Sequence, residues 1–365
     1  MRVLSTFSGI SAASVAWKHQ GFQIVGYCEP SPFQSHVLNQ RCGATSPKYL
    51  PAAKGFEAKK YSGITGGTVI NFGDIEQITD DDLRALGPVD ILEGGSPCQS
   101  FSIAGFRGGL SDSRGNLMLA FARLALRMKE INKLKLVVWE NGKGVLSDET
   151  NGFGCLLGAL AGGRPPVEPP GRGFTTAGHL LVGRPEEPLE EVTIAWRVLD
   201  SQRLGVAQRR ERVFVVCSYD PAIDAGAVLF ESEGEGWSAE TRGGTEEDPA
   251  GSSEGRVGGL IWPPVVGTLN ASAAGMSRTA GQGNELDFVI ITHGGKVVRR
   301  PTPLECERLQ GFPDGYTDVW FEGRPAEDHH RYRGLGNSMT VQAMEYIGHR
   351  INLIQAEAYP LRVAA

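Results

Sequence analysis

Residues 2–9, Arg-Val-Leu-Ser-Thr-Phe-Ser-Gly, have the pattern of a short strand over Arg2–Phe7 followed by a glycine turn. A helical stretch from Ser11 to Gln20 follows, and Phe22–Cys28 repeats the strand pattern and ends at Glu29. A strand, a helix and a second strand form the unit from which parallel sheets are built. This opening therefore predicts an α/β fold.

Strand-like and helix-like stretches keep alternating along the chain, which predicts a doubly wound, mostly parallel sheet. On Asn116–Ile131 the apolar residues recur with the spacing of one helix face. The further predicted helices are Asp80–Leu86 and about Ser338–Ala356, and the further predicted strands are Val89–Leu92, Lys135–Trp139 and Arg212–Cys217.

The composition is that of an ordinary globular protein, with 365 residues of which 41% are apolar and 21% charged. This length allows one large domain and a smaller one. No apolar run is long enough for a membrane helix, and the N-terminus has no signal-peptide pattern, so we expect a cytoplasmic protein without a membrane partner. The six cysteines form no CxxC pair, which predicts neither a metal site nor a disulfide framework.

The overall charge does not indicate a nucleic-acid partner, because the formal net charge is −6. It does not exclude one either, since local patches bind phosphate. Two stretches have the composition of surface loops. One is Gly162–Gly173, and the other is Glu231–Gly259, which carries eight acidic residues against Arg242 and Arg256.

A cysteine follows the predicted strand Val89–Leu92, within Gly94-Gly95-Ser96-Pro97-Cys98-Gln99. Ligands of open α/β sheets bind at the carboxyl ends of the strands, and the two glycines let a ligand approach the backbone. Cys98 is therefore a candidate nucleophile. The alternative is a small buried residue in a tight loop.

Other polar residues also follow predicted strands. The glycine turn Phe7-Ser8-Gly9 places backbone N–H groups and a helix N-terminus near a ligand, and Glu29 stands where an acid can bind ribose hydroxyls. Asp74 could accept a hydrogen bond from an adenine amino group. A plain βα connection, a helix cap or a solvated turn are the alternatives.

Glu140-Asn141 follows the apolar run Val137-Val138-Trp139, so partial burial should raise the pKa of the carboxyl and let it protonate a ring nitrogen. The alternative is a carboxylate that only binds backbone. Further on, Gln208, Arg210 and Arg212 alternate, so on a strand they would share one face. Guanidinium groups there suit a carboxylate, a phosphate or a base carbonyl, and a solvated charged face is the alternative.

In this order the clusters resemble the cytosine-C5 DNA methyltransferases. Phe7-Ser8-Gly9 resembles motif I, Pro97-Cys98-Gln99 motif IV, Glu140-Asn141 motif VI and Gln208-x-Arg210-x-Arg212 motif VIII. Residues 300–313 resemble motif IX, Gly336-Asn337-Ser338 resembles motif X, and the stretch after Gly9 is similar to phage and prophage members. The match omits about 218–298. The chain departs from the family pattern at Ser11, Gly142 and Leu304.

The resemblance implies a Rossmann-like class I methyltransferase fold that uses S-adenosyl-L-methionine. It implies a catalytic domain in 1–217, a target-recognition domain with motif IX in 218–330, and a C-terminal segment, 331–365, that returns to the catalytic domain. The implied cofactor-binding residues are Phe7, Gly9, Ile10, Glu29, Pro30, Asp74, Ile75, Gly95, Pro97, Leu117 and Asn337.

For the reaction, the resemblance implies that Cys98 adds to C6 of a cytosine flipped out of double-stranded DNA. Glu140 would engage N3, Asn141 would hold the loop, and Arg212 would reach O2, with Arg210 as a further catalytic residue. The loop 105–115 would close over the flipped base. The expected DNA-binding residues are Gln99, Ser100, Gln208, Arg278, Gln282 and Asn284.

By the same resemblance we expect a monomer, with a restriction endonuclease or a downstream base-modifying enzyme as a candidate partner. An RNA cytosine methyltransferase is an alternative, but that branch normally lacks a sizeable recognition insert. A catalytically silent DNA-binding regulator would usually have lost the Cys or the Glu. A cysteine hydrolase needs a histidine near Cys98, and a nicotinamide enzyme needs a full GxGxxG, and neither motif is present.

Overall fold

The computed structural model describes residues 1–97, 117–184, 187–231, 256–257, 260–261, 290–291, 298–299 and 301–360. Its centre is a nine-stranded sheet. The strands are β1 (Arg2–Thr6), β2 (Gln23–Cys28), β3 (Ala44–Tyr49), β4 (Val69–Gly73), β5 (Ile91–Gly94), β6 (Leu136–Gly142), β7 (Ala177–Arg184), β8 (Glu187–Asp200) and β9 (Glu211–Ser218).

Helices cover both faces of this sheet. They are α1 (Ala12–Trp17), α2 (Pro32–Cys42), α3 (Asp80–Leu86), α4 (Leu117–Asn132), α5 (Gly152–Leu160), α6 (Ala225–Leu229), α7 (Pro303–Gln310), α8 (Asp328–Asn337) and α9 (Val341–Ala358). None of the helices within the described ranges is both long and apolar enough to cross a membrane.

The strand order is β3-β4-β2-β1-β5-β6-β9-β8-β7. The first six strands in this order pair in parallel, which confirms the predicted doubly wound, mostly parallel sheet. The predicted strand over Arg212–Cys217 is β9, which runs antiparallel to β6, and β8 and β7 continue as antiparallel neighbours. The sheet is therefore mixed at this end.

Consecutive apolar residues of the inner strands point to opposite faces, and this alternation builds two cores. Val3, Ile91 and Val138 pack on the face covered by α1 and α9. Leu4 and Leu92, the next residues along β1 and β5, pack on the face covered by α4 and α5. Strands buried on both faces need apolar residues on both, and this is why the predicted strands contain neighbouring apolar residues.

The two predicted terminal helices differ from the observed ones. The first helix ends at Trp17 instead of Gln20, because the chain turns there and Gly21 takes a φ of +79°. The predicted helix from about Ser338 begins at Val341, and α8 precedes it.

The end of the chain returns to its beginning. Trp17 Nε1 donates to the carbonyl oxygen of Met344 at 2.7 Å, and Asn352 Nδ2 donates to that of Gln20 at 2.9 Å. These bonds join α9 to α1, and both helices contribute to one hydrophobic core.

Parts of the predicted recognition domain also pack on this core. Leu229 of α6 and Cys306 of α7 belong to it, and so does Tyr316. Arg41 donates to the carbonyl oxygens of Gly315, Tyr316 and Asp318. The stretch 303–321 therefore packs with the first part of the chain. The division into 1–217, 218–330 and 331–365 stays a prediction.

Short strands occur outside the main sheet. β10 (Arg256–Val257), β11 (Leu260–Ile261), β12 (Ile290–Ile291) and β13 (Val298–Arg299) form a separate antiparallel sheet. β14 (Trp320–Phe321) and β15 (Arg324–Pro325) form a hairpin. Gln40 in α2 exchanges two hydrogen bonds with the backbone of Trp320, which ties this hairpin to the main body.

We expect Gly348→Ala to lower the free energy of unfolding by about 1–3 kcal/mol, the usual cost of overpacking. A Cβ at Gly348 would lie 2.5 Å from Nε1 of the rigid Trp17 ring. Urea unfolding checks this, with Gly171→Ala as the control because a Cβ there meets nothing within 4 Å. Equal stability of the two variants would mean that α9 does not dock tightly on α1.

Candidate active site

A cavity of about 810 Å³ lies where β1, β2, β4, β5 and β6 end. From β1 the chain proceeds to β2 on one side, and β5 later pairs with β1 on the other side. Such a reversal of strand order opens a crevice at the carboxyl edge of an α/β sheet. The topology therefore places a ligand site between β1 and β5.

The cavity contains most of the predicted site residues that the structure describes. Of the eleven predicted cofactor residues, the lining includes all except Ile10. Ile10 is buried, and its carbonyl oxygen accepts a hydrogen bond from the hydroxyl of Tyr316 at 2.9 Å. The predicted catalytic residues in the lining are Glu140, Asn141, Arg210 and Arg212.

The turn after β1 has an unusual backbone. Phe7 and Ser11 take φ values of +47° and +57°, in the left-handed region that favours glycine. Ser11 is the position at which the sequence departs from motif I. Its hydroxyl accepts a hydrogen bond from the amide of Ser14 and caps α1. This cap offsets part of the conformational cost of a non-glycine residue.

Glu29 joins the turn after β1 to the turn after β2. Its carboxylate accepts from the amide of Gly9 at 2.8 Å and from the amide of Ser31 at 2.7 Å. Burial raises the pKa of Glu29, and the hydrogen bonds from Ser31 and Gly9 oppose that rise. The carboxylate therefore has a defined orientation at the edge of the cavity.

Asp74 lies in the lining and also caps a short 3-10 turn, Ile75–Gln77. Its side chain accepts from the amide of Glu76 at 3.0 Å and from Nε2 of Gln77 at 2.9 Å. The structure thus contains the helix cap that was one of the alternatives for this acid. These bonds fix the carboxylate beside Ile75 in the cavity wall.

Gly94 and Gly95 are required by two close approaches. A Cβ at Gly94 would lie 2.5 Å from the carbonyl oxygen of Thr6 in β1, and a Cβ at Gly95 would lie 3.0 Å from Oε2 of Glu140. Side chains here would break the β1–β5 contact and press on the Glu140 carboxylate.

Glu140 and Arg212 form an ion pair inside the cavity, with 3.2 Å between Oε1 and Nε. Only 12% of the Glu140 side chain is exposed. Burial raises the pKa of Glu140, although Arg212 and then Arg210 lower it. Protonation of this carboxyl is therefore easier than in water.

Asn141 and Trp139 hold the backbone just before Pro97. Asn141 Nδ2 donates to the carbonyl oxygen of Ser96 at 2.9 Å, and Trp139 Nε1 donates to the Ser96 hydroxyl at 3.2 Å. Pro97 is the last described residue before Cys98 and belongs to the cavity lining. These bonds fix the backbone of Ser96, which also belongs to the cavity lining.

Arg210 links the stretch before β9 to the segment that contains Asn337. Its Nη2 donates to the carbonyl oxygens of Gly336 at 3.1 Å and Ser338 at 2.7 Å. Burial and the charge of Arg212 together lower the pKa of Arg210 to about 9, although the charge of Glu140 opposes them. Arg210 thereby brings Asn337, at the end of α8, to the cavity.

Of the three residues predicted to share one strand face, Arg210 and Arg212 both line the cavity, although β9 begins only at Glu211. Gln208 is fully buried and lies outside the cavity lining. Its predicted contact with DNA stays a prediction.

Several predicted residues lie outside the described ranges. They are Cys98, Gln99, Ser100, the loop 105–115, and Arg278, Gln282 and Asn284.

Sequence reasoning missed Glu93 of β5, whose carboxylate accepts from the Ser5 hydroxyl at 2.8 Å. An acid directly after the apolar run Val89–Leu92 was the signal that could have identified it. Pro51, Phe56 and Arg333 also line the cavity. No local pattern marks them, because their positions depend on the paths of a long connection and of α8.

The family model for C-5 cytosine-specific DNA methylases matches residues 1–154 and 237–353, which is more than half of the chain. The chain therefore belongs to the C-5 cytosine-specific DNA methylase family.

Among its relatives is the DNA N-6-adenine-methyltransferase of Escherichia phage P1, with 30% identity over 95% of this chain. The chain spans only 60% of the length of that protein. Type II methyltransferase M.HpaII of Haemophilus parainfluenzae is 29% identical over 77% of this chain and 78% of its own length.

Solved structures share the fold at low identity. The Dnmt2 methyltransferase of S. pombe has a TM-score of 0.57 at 14% identity, covering 98% of this chain and 99% of that one. A putative DNA modification methyltransferase encoded within an E. coli prophage has a TM-score of 0.53 at 17% identity, covering 97% and 99%. These likenesses support the fold alone.

Glu93 provides a pH test of the cavity's electrostatics. Its pKa is raised from the ordinary 4.5 to about 7, because burial and the charge of Glu140 raise it more than the hydrogen bond from Ser5 lowers it. Between these values the folded protein holds a proton that the unfolded chain releases. This contribution to stability is complete below the ordinary pKa and is lost as the pH rises through about 7.

We therefore expect the free energy of unfolding of Glu93→Gln to increase relative to that of the wild type, by about 3 kcal/mol as the pH rises from 4 to 8. The reason is that glutamine has no carboxyl to ionise. Urea unfolding across this pH range measures the difference. Glu130→Gln, at an exposed position of α4, is the control. Parallel pH profiles of Glu93→Gln and the wild type would contradict the assignment.

Proposed function

We propose that this chain methylates carbon 5 of cytosine in double-stranded DNA, with S-adenosyl-L-methionine as the methyl donor. Membership of the C-5 cytosine-specific DNA methylase family supports the reaction. The observation that carries the proposal is one cavity in which the Glu140–Arg212 pair lies beside ten of the residues predicted to bind the cofactor.

The donor groups of the cavity fit this cofactor. Glu29 has carboxylate oxygens for ribose hydroxyls, and Asp74 has a carboxylate for an adenine amino group. Phe7, Gly9 and Asn337 line the same cavity. S-Adenosyl-L-methionine would supply there a methyl group on a positively charged sulfur. Beside the Glu140 carboxylate the cavity wall is formed by Gly95, which has no side chain.

Residues of this chain can activate carbon 5 of cytosine, which by itself reacts slowly with a methyl donor. Carbon 5 is a poor nucleophile, and a bond from the Cys98 sulfur to C6 makes it electron-rich. Glu140 gives N3 a proton or a hydrogen bond as charge develops, and its raised pKa suits this role. Arg212 orients Glu140 and reaches O2. Once carbon 5 carries the methyl group, loss of its proton to solvent returns the electron pair to the ring and breaks the Sγ–C6 bond.

Double-stranded DNA is the proposed substrate, and its target cytosine must leave the stack to reach this cavity. The proposed contacts are Gln99 and Ser100 near the base, with Arg278, Gln282 and Asn284 reading the sequence. We also propose a cytoplasmic monomer. A restriction endonuclease or a base-modifying enzyme is its proposed partner.

Methylation of adenine N6 is a second candidate, because the phage P1 relative is named for that reaction. The exocyclic amine of adenine attacks a methyl donor directly and needs no thiolate adduct. Cys98 therefore discriminates between the two reactions.

We expect Cys98→Ser to abolish formation of 5-methyldeoxycytidine and to leave DNA and cofactor binding intact. Mass spectrometry of nucleosides from a methylation-free host that expresses the chain measures both methylated bases. Cys42→Ser, outside the cavity lining, is the control and should remain active. Accumulation of N6-methyldeoxyadenosine in the wild type and in Cys98→Ser would favour the second candidate.

Glu140→Gln keeps the shape of the side chain and removes its proton transfer. We expect kcat to fall about 10²–10⁴-fold, the usual contribution of general acid–base catalysis, with little change in KM for DNA. Single-turnover kinetics with tritiated methyl donor measures the effect. An unchanged kcat would exclude Glu140 as the acid.

A further inference from the structure

The connection between β3 and β4, residues 50–68, crosses the outer edge of the cavity. Two of its residues, Pro51 and Phe56, belong to the cavity lining, which also contains Asp74, Ile75 and Glu76. This connection is bonded to the rest of the protein on both sides of Phe56.

The first anchor is at Leu50. Gln77 Nε2 donates to the carbonyl oxygen of Leu50 at 3.0 Å and to the Asp74 carboxylate at 2.9 Å. The amide of Asp74 donates to the carbonyl oxygen of Tyr49 at 3.0 Å. The start of the connection is therefore hydrogen-bonded to Asp74, the acid assigned to the adenine amino group, both directly and through Gln77.

The second anchor is at Tyr61. Its buried hydroxyl donates to the carbonyl oxygen of Pro30, which follows Glu29 in the cavity wall. One turn of 3-10 helix, Ala58–Tyr61, carries this residue, and a ring nitrogen of His36 lies 3.1 Å from the carbonyl oxygen of Lys60. Tyr61 thus holds the connection against Pro30, the residue that follows the acid assigned to the ribose.

Between the anchors, Gly55 takes a φ of +109°, which L side chains rarely adopt, and Phe56 follows it in a half-buried position. The turn and the two anchors present an aromatic ring to the cavity. Apart from Phe7, Phe56 contributes the only aromatic ring to the lining formed by described residues.

We propose that Phe56 is a specificity-determining residue that binds the adenine ring of the methyl donor by stacking, and that the Tyr61–Pro30 bond positions it. The proposal rests on the proposed function, because it concerns the same cofactor site. Stacking suits this position, since a planar base can lie against an aromatic ring in the lining that also contains the Asp74 acceptor.

The test is calorimetric binding of S-adenosylhomocysteine to the full chain. Loss of aromatic stacking on a base should raise Kd about tenfold to a hundredfold in Phe56→Ala. Phe56→Leu should show most of this loss, and Phe56→Tyr should bind like the wild type. Lys54→Ala, an exposed position of the same connection outside the lining, is the matched control.

Adenosine alone should show the same loss in Phe56→Ala as S-adenosylhomocysteine, since the proposed contact involves only the base. Tyr61→Phe, which removes the hydrogen bond to Pro30, should also raise both dissociation constants. The double variant Tyr61→Phe/Phe56→Tyr should have the same melting temperature as Phe56→Tyr. Equal dissociation constants for Phe56→Ala and the wild type would overturn the role of Phe56 alone. Absence of S-adenosylhomocysteine binding by the wild type would overturn the proposed function with it.

Discussion

Strand β1 pairs in parallel with β2 on one side and with β5 on the other, and the cavity depends on this double pairing. The turns after these three strands carry Gly9, Glu29 and Gly95, so pairing alone brings the three residues to one edge of the sheet. Gly94 lets β5 approach β1, since any side chain there would strike Thr6. Glu29 then joins the first two turns through the amides of Gly9 and Ser31.

The cavity holds several charges at low exposure, and their arrangement follows from the cost of burial. Each has a specific partner. Glu29 accepts from backbone amides, Glu140 pairs with Arg212, and Arg210 donates to two carbonyl oxygens. Incomplete compensation leaves the pKa of Glu140 raised and that of Arg210 lowered. A carboxyl that gains a proton easily is the group that proton donation to a pyrimidine nitrogen requires.

Local patterns predicted much of the sheet and of the site. The apolar runs located β1, β2, β5, β6 and β9, and the acids and glycines after them proved to line one cavity. They did not locate β3, whose residues Ala44–Tyr49 alternate in burial and include Pro47, or the long β7–β8 hairpin. A common face was predicted for Gln208, Arg210 and Arg212, but Gln208 lies outside the lining that contains the two arginines. The start of β9 depends on tertiary contacts, such as the hydrogen bond from the Arg210 amide to the Asp200 side chain.

The sequence by itself determined the class of fold and the chemical types at the site, because buried parallel strands need apolar runs and because reactive groups follow them at recognisable positions. Only the tertiary structure decided which distant residues complete the cavity. Asn337 reaches it because α9 docks on α1 and Arg210 binds the backbone of Gly336 and Ser338. Phe56 reaches it because Tyr61 binds Pro30. Such contacts join residues far apart in the chain, and no local periodicity encodes them.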